Sequence, residues 1–180
     1  MHMATNIKRW TLEELHSLPD DGNKYELVRG QLFVTPPPNV EHETVLARLS
    51  RLLEPFVAAH GLGFVYHPRS VLRVGDSEVE PDLMVRQRPR DLHVDWDQAP
   101  VPILVVEVLS GSTRRRDRRD KRELYADAGV DDYWIVDPER RVITVAHPEG
   151  REETSIDALA WAPRGAAEPL VVPLADLFAP

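Results

Sequence analysis

The sequence predicts an α/β protein with a central mixed β-sheet flanked by helices, preceded by an N-terminal helix and hairpin. Three observations carry this reading. Residues 102–109 (PILVVEVL) are apolar on both parities, as in a strand buried on both faces. A helical segment capped at Ser112 or Thr113 and stopped at Gly129 follows, and then a second strand at 132–136, which is the order of a βαβ unit. Upstream, short β-rich runs surround one long amphipathic helix.

The elements follow in order from local signals. Over residues 8–18, Thr11 as N-cap and Glu14 form a capping box, with Leu12, Leu15 and Leu18 along one face, so a short helix is predicted. Pro19 to Asn23 ends it. Residues 25–28 and 31–35 flank Arg29-Gly30 and read as a β-hairpin, which Pro36-Pro37-Pro38 terminates in an extended break. From the N-cap Asn39, the residues Val45, Leu46, Leu49, Leu52, Leu53, Phe56 and Val57 trace one stripe of a helix of about 20 residues. Gly61 stops it, and Pro55 is a site for a kink.

Residues 63–67, 70–74 and 79–86 are three strand candidates expected to form a second sheet segment. Residues 87–100 are polar and irregular and are expected to be a surface or functional loop. After the central strand and its helix come strands at 132–136 and 141–145, joined through Pro138-Glu139-Arg140. Beyond Glu152 the only clear signal is a last strand at 170–172. Neither a repeat nor a linker interrupts the chain, and its 180 residues suit a single domain over 1–180.

Composition removes several function classes. At 42% hydrophobic and 29% charged, the chain can bury a core and is too apolar for disorder. The absence of cysteine excludes disulfides, thiolate nucleophiles and cysteine-held metals, so any metal must be bound through oxygen or histidine. No run approaches the roughly 20 apolar residues of a membrane span, and residues 1–10 lack the apolar core of a signal peptide, so a cytoplasmic location is expected. The formal charge of −8 argues against a non-specific nucleic-acid coat. Residues 114–122 nevertheless hold seven basic and two acidic residues, a net +5, leaving −13 for the rest. This basic run is either a solvated helix face or a phosphate-backbone contact.

Five residues stand out of pattern. Glu107 shares a strand face with Ile103, Val105 and Leu109, where an unpaired charge would cost several kcal/mol, so it needs a cation, a metal or a shared proton. Asp82 follows Pro81 inside a strand run, a place for an edge or bend. Lys121 lies three and four residues before Leu124 and Tyr125 and so points to the apolar side of its helix, either snorkelling towards Asp117 or poised over the end of the preceding strand. Glu26 and His42 complete the set. Motifs for zinc proteases, phosphate-binding loops, dinucleotide binding and nucleophile elbows are all missing.

Two carboxylates and a lysine make an acid, acid, base set. The carboxylates suit a hard divalent ion such as Mg²⁺ or Mn²⁺, and a neighbouring lysine can orient or deprotonate a water and offset charge on a phosphate. That is the chemistry of phosphodiester hydrolysis.

The chain also resembles a known family. The segments Tyr25-Glu26-Leu27-Val28-Arg29-Gly30, His42, Pro81-Asp82-Leu83, Val106-Glu107-Val108-Leu109-Ser110, Ser112-Thr113, Asp117, Lys121, Tyr125 and the run from Gly129 to Pro138 occur in the order of the Uma-type restriction endonuclease family. That family is placed in the PD-(D/E)XK nuclease superfamily. The resemblance spans residues 25–145 and implies a restriction-endonuclease-like core there. It implies Asp82 and Glu107 as metal ligands for Mg²⁺ or Mn²⁺, Lys121 as catalytic lysine and Glu26 as an additional acid near the metal or its water. In the usual superfamily motif the lysine lies two residues after the strand glutamate, where this chain has Leu109; the resembling family takes it from the next helix, which fits Lys121.

His42, Arg114, Arg115 and Arg118 are the substrate-contact candidates. The function expected is metal-dependent endonuclease activity on nucleic acid, with DNA the favoured substrate, and a homodimer would allow both strands to be cut. Two alternatives stay open: a catalytically silent module that binds nucleic acid or a partner, and a hydrolase of small phosphorylated molecules.

Overall fold

A computed structural model describes residues 8–110 and 116–179. The N-terminal helix is α1 (Leu12–His16), where Thr11 and Glu14 form the reciprocal capping box. The hairpin is β1 (Lys24–Val28) and β2 (Gln31–Thr35), closed at Val28 and Gln31. Arg29 and Gly30 both adopt positive φ, 49° and 83°, as a two-residue turn matched to strand twist requires. Arg29 bears the cost of that conformation because its backbone N–H donates to Ser77 Oγ.

Helix α2 (Val40–Ala59) starts at the Asn39 cap and runs through Pro55. After β3 (Phe64–Tyr66) and β4 (Leu72–Val74) come β5 (Ser77–Val79) and β6 (Leu83–Arg86), then β7 (Leu104–Val108), α3 (Arg116–Ala128), β8 (Asp132–Asp137) and β9 (Val142–Ala146). The caps expected at Ser112 or Thr113 lie outside the described residues.

The central sheet has the order β10-β9-β8-β7-β6-β3, with β10 being Glu152–Ser155. Within it β7 and β8 pair in parallel across α3 while the other neighbours are antiparallel, so the sheet is mixed. All five residues of β7 are buried, as its unbroken apolar pattern demands. On one face, Leu104, Val106 and Val108 pack with Val45, Leu49, Leu53 and Val57 of α2. On the other, Val105 packs with Leu124 and Tyr125 of α3 and with Val28, Leu72 and Val79 of a second sheet, β2-β1-β5-β4. Glu107 belongs by alternation to this second face, where the central sheet, α3 and β1 converge.

Two expectations are corrected. The run 79–86 is not one strand: it divides at Glu80-Pro81-Asp82, with β5 in the four-stranded sheet and β6 in the central one. Proline lacks the N–H that a continuous ladder would use there. Consequently β3 pairs with β6 and β4 with β5, and the three runs build two sheets rather than one. The C-terminal part is also richer than its weak pattern suggested. It forms β10, β11 (Ala158–Trp161), β12 (Leu170–Pro173) and α4 (Leu174–Leu177), whose Leu159, Trp161, Val172, Leu174 and Leu177 close the core beside α2. Among the described residues, no helix is long and apolar enough to cross a membrane.

Candidate active site

Strand register brings the first two carboxylates together. Leu83 of β6 pairs with Val106 of β7, so the residues just beyond, Asp82 and Glu107, lie at the same edge of the ladder. Glu107 is near the C-terminal end of a strand followed by a helix, the usual ligand-binding end of an α/β unit. Asp82 Oδ2 accepts hydrogen bonds from the backbone N–H of Val108 (2.8 Å) and pairs with His42 Nε2 (3.1 Å). His42 is placed by the first turn of α2, where its N–H donates to the Asn39 cap, and its Nδ1 meets Glu43 at 3.3 Å.

Lys121 enters from α3. Its ammonium lies 2.8 Å from Glu26 Oε2, 3.0 Å from Glu26 Oε1 and 2.9 Å from Glu107 Oε1. One helical turn on, the Tyr125 hydroxyl donates to the same Glu107 oxygen at 2.6 Å. Leu109, two residues after Glu107, packs in the apolar cluster with Val105 and Leu124, so the ammonium reaches the strand from the helix instead. Glu26 also accepts the Glu80 N–H at 2.9 Å, which pins β1 to the Pro81 joint.

The electrostatics follow from burial opposed by pairing. Desolvation works against the Lys121 charge, yet Glu107 and Glu26 outweigh it and hold the ammonium protonated well above the ordinary lysine range. Burial likewise works against charged Glu26 and Asp82, but Lys121 and Lys24 lower the first, and Lys24, His42 and the Val108 N–H lower the second. For Glu107 burial prevails, aided by Asp82 and Glu26, and its pKa is raised. Burial raises Glu80 as well.

These groups surround a cavity of about 170 Å³ lined by Lys24, His42, Asp82, Glu107, Leu109 and Lys121, among others. Glu26 does not line it; it stands behind Lys121. The four residues Asp82, Glu107, Lys121 and Glu26 are thus brought into one network, with His42 attached through Asp82. Arg114 and Arg115 lie outside the described residues, and of Arg118 only the helical backbone is described.

Sequence reasoning missed Lys24, whose ammonium lies 3.4 Å from Asp82 Oδ1 and donates to the Glu80 carbonyl at 3.1 Å. The signal was the two-residue strand period that places Lys24 on the face of Glu26. It also gave no role to Tyr125, although Tyr125 stands at i+4 from Lys121.

Among the described residues no three His, Asp or Glu side chains form a cage for a metal. The residues that could hold a cation are Asp82 and Glu107. Three buried carboxylates (Glu26, Asp82 and Glu107) meet two ammonium groups and the His42 imidazole there. Two carboxylates beside an open cavity fit a hard divalent ion that keeps several waters, whereas a soft or fully dehydrated ion would lack ligands.

No curated protein matches the chain. Among solved structures, the chain is similar to a putative nuclease belonging to DUF820 from Anabaena variabilis, at TM-score 0.77 and 23% identity, covering 94% of this chain and 98% of that one. That likeness shows the fold, a mixed α/β architecture shared with that protein. The family model Uma2, described as putative restriction endonuclease, matches residues 12–171, and the chain belongs to that family.

Proposed function

We propose that the protein is a metal-dependent endonuclease that hydrolyses phosphodiester bonds of nucleic acid, with DNA as substrate. The observation that supports it most is the buried Glu26–Lys121–Glu107 bridge beside Asp82 at the wall of an open cavity. A network this costly to bury serves best where charge must be held ready for a reaction.

In this reading Asp82 and Glu107 hold Mg²⁺ or Mn²⁺, which when bound supplies Lewis acidity and a water made more acidic. Asp82 is oriented by the Val108 N–H and by His42. Glu107 is oriented by Lys121 and Tyr125, which leave its second oxygen for the metal or its water. Lys121 is held protonated, so its part is to donate: it fixes Glu107 and offsets negative charge developing on the phosphate. Glu26 acts through Lys121 as a positioning residue. His42 borders the cavity on Asp82, and Arg114, Arg115 and Arg118 precede Lys121 in sequence and are assigned to the phosphate backbone of the substrate.

One observation favours a second reading, a module that binds nucleic acid without cutting it: Asp82 already carries the ammonium of Lys24. Cleavage of supercoiled plasmid, single-stranded DNA and RNA with Mg²⁺, Mn²⁺ or EDTA separates the two, with Glu107→Gln run beside the wild type. Metal-dependent cutting that disappears in Glu107→Gln supports the endonuclease. Equal inertness of both proteins on every substrate removes it and leaves the binding module.

A further inference from the structure

The two lysines of the centre differ in what surrounds them. Lys121 is 4% exposed, and both oxygens of Glu26 and one of Glu107 lie within 3.0 Å of its ammonium. Two of these contacts are hydrogen bonds, to Glu26 Oε1 and Glu107 Oε1, and the third is a close ion-pair contact, so the Lys121 ammonium is engaged chiefly within the protein. Both lysines border the cavity, but Lys24 is 21% exposed. Its carboxylate contacts are long, 3.4 Å to Asp82 and 3.9 Å to Glu26, and its one shorter bond goes to the neutral carbonyl of Glu80.

The difference comes from the elements that carry them. Lys121 descends from α3 into the seam between the two sheets. Lys24 is the first residue of β1, at the open end of that strand, beside the cavity wall formed by Thr35 and Pro36 to Pro38. Its stem is anchored by the hairpin, while its head reaches the space that a ligand would enter. Asp82 divides its charge among Lys24, His42 and the Val108 N–H, so Lys24 holds only a share of that carboxylate. An anionic ligand oxygen in the cavity would offer it a shorter, undivided partner.

We propose that Lys24 is the substrate-contacting lysine of this cavity, its ammonium binding a phosphate of the nucleic-acid strand, while Lys121 is the fixed group that positions Glu107. This rests on the nucleic-acid reading above, and it holds whether the bound strand is cut or only retained.

The test is binding of fluorescent DNA and RNA oligonucleotides to the full chain in EDTA, across a salt series, for wild type, Lys24→Met, Lys24→Gln and Lys24→Arg. Lys24→Met is expected to weaken binding by roughly 5- to 10-fold and to flatten the dependence of log affinity on log salt by about one phosphate contact. Lys24→Arg should restore both. Lys24→Gln can still donate a hydrogen bond and serves as the neutral variant should Lys24→Met fail to fold. Neutral variants that keep wild-type affinity, or lose affinity with an unchanged salt slope, would overturn the inference and leave Lys24 a counter-ion of Asp82. A wild type that binds neither DNA nor RNA would overturn the nucleic-acid reading together with it, so the two failures are told apart.

Discussion

Glu107 and Lys121 are 14 positions apart in the chain and 2.9 Å apart in space. The βαβ crossover from β7 into α3 makes this contact, because the helix lies back over the strand it has just left. Glu26, from a different sheet, shares the same ammonium and ties the two sheets together at their most polar point.

Removing that shared cation should therefore destabilise the fold. Lys121→Met leaves Glu26 and Glu107 buried without their partner, a loss expected near 3–5 kcal/mol. Adding Glu26→Gln to Lys121→Met should recover part of it, since one of the stranded charges is then gone. Urea midpoints of the two single variants and the double variant measure this; strictly additive losses would show that the three groups do not act as a unit.

His42 should make stability depend on pH in a defined direction. Burial works against its charge, but the bond to Asp82 wins and the pKa is raised. A raised value means that the folded protein binds the proton more tightly than the unfolded chain does. The stabilisation is therefore fully present below the ordinary histidine pKa of about 6.5 and is lost as pH rises through the folded value. Asp82, held low, stays ionised throughout that window. The gap in Tm between wild type and His42→Leu should be wider near pH 5.5 than near pH 9. A gap independent of pH would show that the imidazole is neutral on Asp82.

Arg86 should govern the long loop after β6. Its guanidinium is buried, donates to the carbonyls of Pro100 (3.0 Å) and Val71 (2.9 Å), and has its pKa brought down by burial to about 10. Because Arg86→Met removes a costly buried charge along with these bonds, the net loss in stability should stay under about 2 kcal/mol. The loop loses its clamp all the same, so trypsin nicking after Arg90, which unlike Arg88 is not followed by proline, should quicken several-fold. Wild-type nicking rates in Arg86→Met would mean that the loop is held by other contacts.

Much of this protein was legible in one dimension. The capping box at Thr11 and Glu14, the Asn39 cap with its apolar stripe, and the doubly apolar β7 are local patterns, and local patterns survive without knowledge of the fold. The misplaced carboxylates Asp82 and Glu107 and the inward-facing Lys121 could be picked out because each breaks the pattern of its own element. What sequence periodicity could not reveal was which sheet each short strand joins. Residues 79–86 read as one strand because their alternation is continuous across Pro81, and only the pairing of β5 with β1 and of β6 with β7 shows them parting.

Lys24 belongs to the second kind of fact. It begins a strand, where a lysine is common, and strand alternation places it on the face of Glu26 without showing what it meets. Its ammonium reaches Asp82 only because β1 packs across the end of the central sheet, bringing together residues 58 positions apart. By itself the sequence determined the elements and the residues that do not fit them, since propensity and burial pattern act within a few turns of chain. The tertiary structure alone decided which charges meet and which lysine is the more deeply buried, because pairing and desolvation depend on neighbours that the chain order does not supply.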